Sequence, residues 1–136
     1  MPRRAAVFAF LLLAAAVRAG ADFGGDLAAA EALSREKGKL LLVYIWSPAC
    51  HVCRWLNEKV WPDPLVQGEL ALWSAVKVDS DEAVRSHYKW VVDDVPQLRV
   101  IDPEGNEFRA LKRENLPEAK PEKMVEALRA VRQAWD

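Results

Sequence analysis

The chain is poor in glycine, cysteine and histidine, and it has no excess of charge of either sign. Six glycines and eight prolines in 136 residues exclude a collagen-like repeat, and six tryptophans argue against a disordered chain or a coiled coil. Lys and Arg number 19 against 20 Asp and Glu, so there is no basic field of the kind that nucleic-acid binding needs. No internal repeat or low-complexity segment occurs. What is there is a chain that is 51% hydrophobic and 29% charged, enough for one globular domain and too little for two.

A bilayer-spanning run is also missing. The longest apolar stretch, Ala5 to Val17, falls short of the ~18 to 20 residues of a transmembrane helix. Behind Arg3 and Arg4, and ahead of the small residues Ala19, Gly20 and Ala21, it has the layout of a secretory signal peptide, and a retained anchor is the weaker reading. Residues 1–21 are expected to be the leader, cut after Ala19 or Ala21, and residues 22–136 the folded domain. No cysteine lies near the junction to carry a lipid. Loss of Arg3, Arg4 and Arg18 leaves 16 basic against 20 acidic residues, a net charge of −4. The expected compartment is a periplasm or the cell exterior, where disulfides persist.

Hydrophobic spacing orders the rest. Asp26 reads as the N-cap of a helix with Leu27, Ala30 and Leu33 on one face, stopped by Gly38. The apolar run Leu40 to Trp46 suits a central strand buried on both faces. A helix from near Cys50 to Pro62 is expected to place Val52, Leu56 and Val60 inward, and Asp63-Pro64 opens a second, short helix. A strand over Ser74–Val78 precedes a helix from about Asp81 to Lys89 that buries Val84 and Tyr88. Gln97–Ile101 and Glu107–Leu111 form a hairpin around the turn at Asp102 to Asn106. A final helix from Pro121 carries Met124, Leu128, Val131 and Trp135 as a core stripe, after a solvated connection over Lys112–Lys120. The order predicts an α/β domain with a mixed sheet and helices on both faces.

Chemistry concentrates at the two cysteines, in Cys50-His51-Val52-Cys53. At i and i+3 on a helix they share a face about 5 to 6 Å apart, close enough for a disulfide. Such a bridge is a weak staple, because a four-residue ring is worth roughly 2 kcal/mol against about 3 for a fifteen-residue ring. A redox role therefore outranks a structural one. Cys50, in the first turn, sits among unpaired N–H groups that favour a thiolate and is the expected nucleophile. Cys53, a turn further in, is the expected resolving thiol. His51 either adds positive charge beside Cys50 or is an exposed loop histidine.

The segment Val43-Tyr44-Ile45-Trp46-Ser47-Pro48-Ala49-Cys50-His51-Val52-Cys53 resembles the active-site segment of the thioredoxin superfamily. Val92-Asp93-Asp94-Val95-Pro96, followed by a strand, resembles that family's cis-proline loop. Glu58 to Val66 and Val76 to Asp79 are further similar to exported thioredoxin-like proteins, including the C-terminal domain of the DsbD thiol:disulfide interchange reductase. The resemblance spans about Asp26 to Trp135. It implies a thioredoxin fold with Cys50 as nucleophile, Cys53 as resolving thiol and Pro96 as the cis-proline. It also implies that the Val95 backbone pairs with a bound peptide and that Trp46 packs beside the site. Tyr44 departs from the pattern where the family carries a buried aspartate, and Gln97 where threonine is common.

The expected function is that of an exported thiol:disulfide oxidoreductase acting on protein disulfides or dithiols. Its only redox group is the Cys50–Cys53 pair, without a further cofactor or metal. It is expected to be a monomer recharged by a separate redox partner, plausibly a membrane electron donor. Two alternatives stay open. One is a copper or zinc metallochaperone using Cys50, Cys53 and His87. The other is a non-catalytic binding module that presents Trp46, Pro48 and the Pro96 loop. A c-type haem is excluded, since Arg54 follows Cys53 where histidine is required.

Overall fold

A computed structural model describes residues 23–136, so the expected leader lies outside the described residues. The elements are α1 (Leu27–Lys37), β1 (Leu41–Trp46), α2 (His51–Trp55), α3 (Pro64–Leu70), β2 (Ser74–Asp79), α4 (Ser80–Arg85), β3 (Gln97–Ile101), β4 (Glu107–Leu111) and α5 (Pro121–Trp135). The sheet order is β2-β1-β3-β4, with β1 parallel to β2 and antiparallel to β3, and β3 antiparallel to β4. This is the expected mixed sheet. Gly24 adds a single parallel bridge at Val76, covering part of the outer edge of β2.

Alternation along β1 divides the core. Leu42 and Tyr44 face one layer, with Leu98 and Val100 of β3 and the apolar sides of α3 and α5. Leu41, Val43 and Ile45 face the other, with Val76, Val78, Leu27, Ala30 and Ala83. Phe23, Tyr44 and Trp61 form an aromatic cluster with centroids 4.8 to 5.4 Å apart. Local chemistry sets the helix ends as expected. Asp26 accepts from the Ala28 and Ala29 amides at 3.0 and 3.3 Å, and Asp63 from Leu65 at 2.9 Å ahead of Pro64. Gly38 terminates α1 at φ 64°, a conformation that glycine adopts without steric cost.

Five expectations need correction. Leu33 is exposed, and Ser34 is buried in its place, its hydroxyl bonded to the Lys39 carbonyl. The helix carrying the cysteines widens into a π turn over Leu56–Val60, closed by Trp61 N–H to the Leu56 carbonyl at 2.8 Å. Cys53, not Val52, joins Leu56 and Val60 in the interior. Helix α4 stops at Arg85, so Ala83 is buried while Val84 is exposed, and Tyr88 stacks on Trp90 from beyond the helix. The connection after β4 is not merely solvated: Leu116 and Ala119 pack on the core, and the half-exposed Trp55 donates its Nε1–H to the Ala119 carbonyl at 2.9 Å.

One buried charge joins α3 to α5. The Glu69 side chain is only 2% exposed. Arg132 donates to it from Nη2 at 2.8 Å and also from Nε, and the Trp73 Nε1–H donates at 3.0 Å. Removing Arg132 strands a buried carboxylate. Arg132→Met is expected to lower the unfolding free energy by about 2 to 3 kcal/mol, somewhat below the cost of breaking a fully buried pair. Arg129, half exposed and 3.8 Å away, is expected to cost under about 1 kcal/mol when changed to Met. Urea unfolding of both variants measures the difference.

Candidate functional site

The chain leaves the core at Trp46, turns through Ser47 to Ala49 and enters α2 with Cys50 as its N-cap. The Cys50 sulfur takes the place of a capping oxygen, accepting the Cys53 N–H at 3.1 Å. Both cysteines are thiols; Cys50 is half-buried and Cys53 is fully buried. Burial, followed by the hydrogen bond to Cys50, pushes the Cys53 thiol up to about 11. One sulfur is therefore presented to solvent while the other is held protonated beneath it. This arrangement suits thiol–disulfide exchange in two steps, because the first attack needs an accessible thiolate.

Across from Cys50 lies the loop before β3. The Val95–Pro96 bond is cis, as the resemblance implies, and the Cys50 thiol donates to the Val95 carbonyl at 3.6 Å. Gln97 supports the loop from within the core, donating from Nε2 to the Asp94 carbonyl at 2.8 Å. Its Oε1 accepts from Arg99 at 3.0 and 3.2 Å, and Arg99 is paired with Glu107 at 2.9 Å. A polar chain that starts at the exposed Glu107 of β4 and is buried at Arg99 and Gln97 thus reaches the loop facing the cysteines. A groove of about 310 Å³ opens between Ser47, Cys50, His51, Val52, Val95 and Arg113. Next to it an apolar hollow of about 180 Å³ lies between Val52, Leu56, Pro96, Leu116 and Met124.

Behind Cys53, Tyr44 donates from its hydroxyl to the Cys53 carbonyl at 3.3 Å. Burial first, and then the neighbouring Cys53, push the Tyr44 phenol well above its ordinary range, so it stays neutral. Lys77, the neighbour of Tyr44 on β2, places its ammonium 3.9 Å from the Trp46 ring centroid. Partial burial draws the Lys77 ammonium below its usual range.

The structure brings Cys50, His51 and Val95 to one groove and Pro96 to the hollow beside it, with Cys53 buried behind Cys50 and Trp46 at the end of the preceding strand. His51 is exposed on the groove wall. It does not bring His87 to the cysteines: His87 Nε2 lies 3.2 Å from Glu31, and among the described residues no three His, Cys, Asp or Glu side chains converge as metal ligands would. Sequence reasoning missed Val52, Asp94, Arg113 and Leu116. Val52 reads as core from its spacing, and Asp94 carries a signal only as the acid two positions before Pro96. Arg113 and Leu116 belong to a connection whose composition reads as solvent-facing.

A parallel-antiparallel mixed sheet with a CxxC at a strand-to-helix junction opposite a cis-proline is the thioredoxin fold. Solved structures superpose on it. The disulphide isomerase from Xylella fastidiosa Temecula1 matches with a TM-score of 0.65 and 17% identity over 77% of this chain and 87% of its own. The oxidised C-terminal domain of DsbD from Neisseria meningitidis gives 0.61 and 16% over 79% and 97%. A thioredoxin from Thermus thermophilus gives 0.56 and 24% over 82% and 85%. At these identities the likeness is one of fold. No protein-family model and no curated protein sequence matches the chain.

The raised Cys53 thiol makes the reduced fold pH-sensitive in a defined window. A thiol whose pKa rises from 9.0 to about 11 on folding stabilises the fold fully below pH 9, and that stability is lost as pH rises through 11. Reduced wild type is expected to lose on the order of 2 kcal/mol across this window relative to Cys53→Ala. Urea unfolding of both proteins under reducing conditions from pH 8 upward measures it.

Proposed function

We propose that the chain is a thiol:disulfide oxidoreductase that reduces or exchanges disulfides in exported proteins. The observation that carries this reading is the layered pair of sulfurs: Cys50 half-buried at a helix start, Cys53 fully buried behind it. The Cys50 thiolate attacks one sulfur of a substrate disulfide. The substrate S–S bond breaks, its electron pair leaves with the other sulfur, and a Cys50–substrate disulfide forms. Cys53 then gives up its proton to the departing thiolate and attacks the Cys50 sulfur. The second substrate sulfur leaves as a thiolate, which takes a proton from water, two electrons have passed to the substrate, and a Cys50–Cys53 disulfide remains.

In this reading the Cys50–Cys53 pair is the only redox group, and no other cofactor is required. The Val95 backbone holds the substrate chain, Pro96 shapes the loop, Trp46 backs the site and His51 tunes it. The monomeric protein works in a periplasm or outside the cell, supported by the leader pattern in residues 1–21. None of the helices in the described residues is long and apolar enough to cross a membrane. The resemblance of Glu58 to Val66 and Val76 to Asp79 to the reductase subgroup favours the reducing direction, with a separate membrane protein as electron donor.

Catalysed reduction of insulin by dithiothreitol tests the activity. Wild type is expected to accelerate it and Cys50→Ser to fall to the uncatalysed background. Cys53→Ser is expected to accumulate a mixed disulfide visible by mass spectrometry. A wild-type rate equal to background would overturn the reading. The direction follows from the potential of the pair, read by tryptophan fluorescence in glutathione or dithiothreitol buffers. A midpoint near about −270 mV fits a reductase, and one near about −120 mV a disulfide donor.

A further inference from the structure

The Val95 amide is already occupied. The Asp94 side chain accepts the Val95 N–H at 2.9 Å, so that donor is not free for a peptide carbonyl. Arg113, reaching over from the connection after β4, grips both oxygens of that carboxylate from Nη1 at 3.0 and 3.2 Å. The two ends of this contact differ in rigidity. The Asp94 backbone is pinned by Gln97 from the core, whereas the Asp94 and Arg113 side chains are 43% and 61% exposed. Arg113 also stands between the groove beside Cys50 and the apolar hollow, lining both. It is the only permanent cation, and Asp94 the only carboxylate, among the described residues lining either one.

We propose that Asp94 and Arg113 form a latch released by substrate, making the protein select disulfides flanked by acidic side chains. A substrate Asp or Glu next to its cysteine takes Arg113 from Asp94, the Asp94 side chain swings away, and the Val95 N–H is freed for the substrate backbone. No covalent bond changes; one carboxylate replaces another on the guanidinium, and one carbonyl replaces a carboxylate on the amide. An exposed ion pair contributes little, so the exchange at Arg113 is close to balanced. The substrate gains the backbone bond as well. A neutral substrate must instead break the Asp94–Arg113 contact or leave the Val95 N–H capped. Arg113 is thus a specificity-determining residue and Asp94 a positioning residue. The inference rests on the oxidoreductase reading.

The test uses disulfide-linked dimers of a short peptide with Glu on both sides of its cysteine, compared with the same peptide carrying Gln. Wild type is expected to show a kcat/KM about threefold to fivefold higher for the Glu peptide at low salt. Arg113→Gln and high salt are each expected to bring that ratio to one. Asp94→Ala is expected to raise kcat/KM for the Gln peptide and to speed deuterium exchange at the Val95 amide. Ratios are taken within each variant, so differences in folded fraction cancel. A wild-type ratio of one, or a ratio untouched by Arg113→Gln, with insulin still reduced, overturns the latch and leaves the oxidoreductase reading standing. Failure to reduce insulin and both peptides overturns the two together.

Discussion

Burial of β1 on both faces is the constraint from which the rest of the molecule follows. Its residues alternate between two core layers, Leu42 and Tyr44 into one, Leu41, Val43 and Ile45 into the other. A strand with no polar face has to lie in the interior of the sheet, and β2 and β3 flank it on either side. Helices must then cover both faces. Because β1 runs parallel to β2 but antiparallel to β3, its carboxyl end lies beside the start of β3. That end carries the chain to Cys50, and the residues just before β3 are Asp94, Val95 and Pro96. The meeting of cysteine and loop is thus a product of strand direction, and it depends on no contact specific to the site.

The second layer of organisation is electrostatic. Cys50 caps a helix and meets an amide donor, while Cys53 is sealed under the same turn and driven toward its neutral form. The same helix start serves both ends. The π turn over Leu56–Val60 continues this helix, and its Leu56 and Val60 lie in the interior on the same side as Cys53. Val52 is left exposed, and it lines both hollows beside the cysteines. An apolar residue that looks like core from its spacing is therefore free to touch a partner.

Legibility in the sequence followed the range of the interaction. The succession of helices and strands along the chain, the Asp26 and Asp63 caps, the Gly38 stop and the hairpin are readable because each is set by neighbours within a few positions. The CxxC pair was readable for the same reason. Asp94 with Arg113 was not: the two are 19 positions apart and meet only after β3 and β4 have paired. Leu33 and Val84 were misjudged because spacing names a stripe without saying how wide the covering layer is. On α1 and α4 that layer reaches only Leu27, Ala30 and Ser34, and Ala83. The exposed Trp55 shows the same effect, since its ring anchors the 112–120 connection instead of entering the core.

Tyr44 leads to the last step. A buried carboxylate behind Cys53 would offer a proton acceptor, but Tyr44 offers a hydroxyl that burial keeps neutral, and it donates to the Cys53 carbonyl. Lys77, on the neighbouring strand beside Trp46, contributes a cation and no base while its ammonium is charged. Under the proposed chemistry, neither group relieves Cys53 of its proton before a substrate arrives. The departing substrate thiolate is then the base in place at the moment of resolution, generated by the attack of Cys50 itself. Resolution needs the Cys50–substrate disulfide as its electrophile, and the step that forms this disulfide also supplies the base. The burial that makes Cys53 hard to ionise therefore ties its activation to the thiolate that the first attack releases.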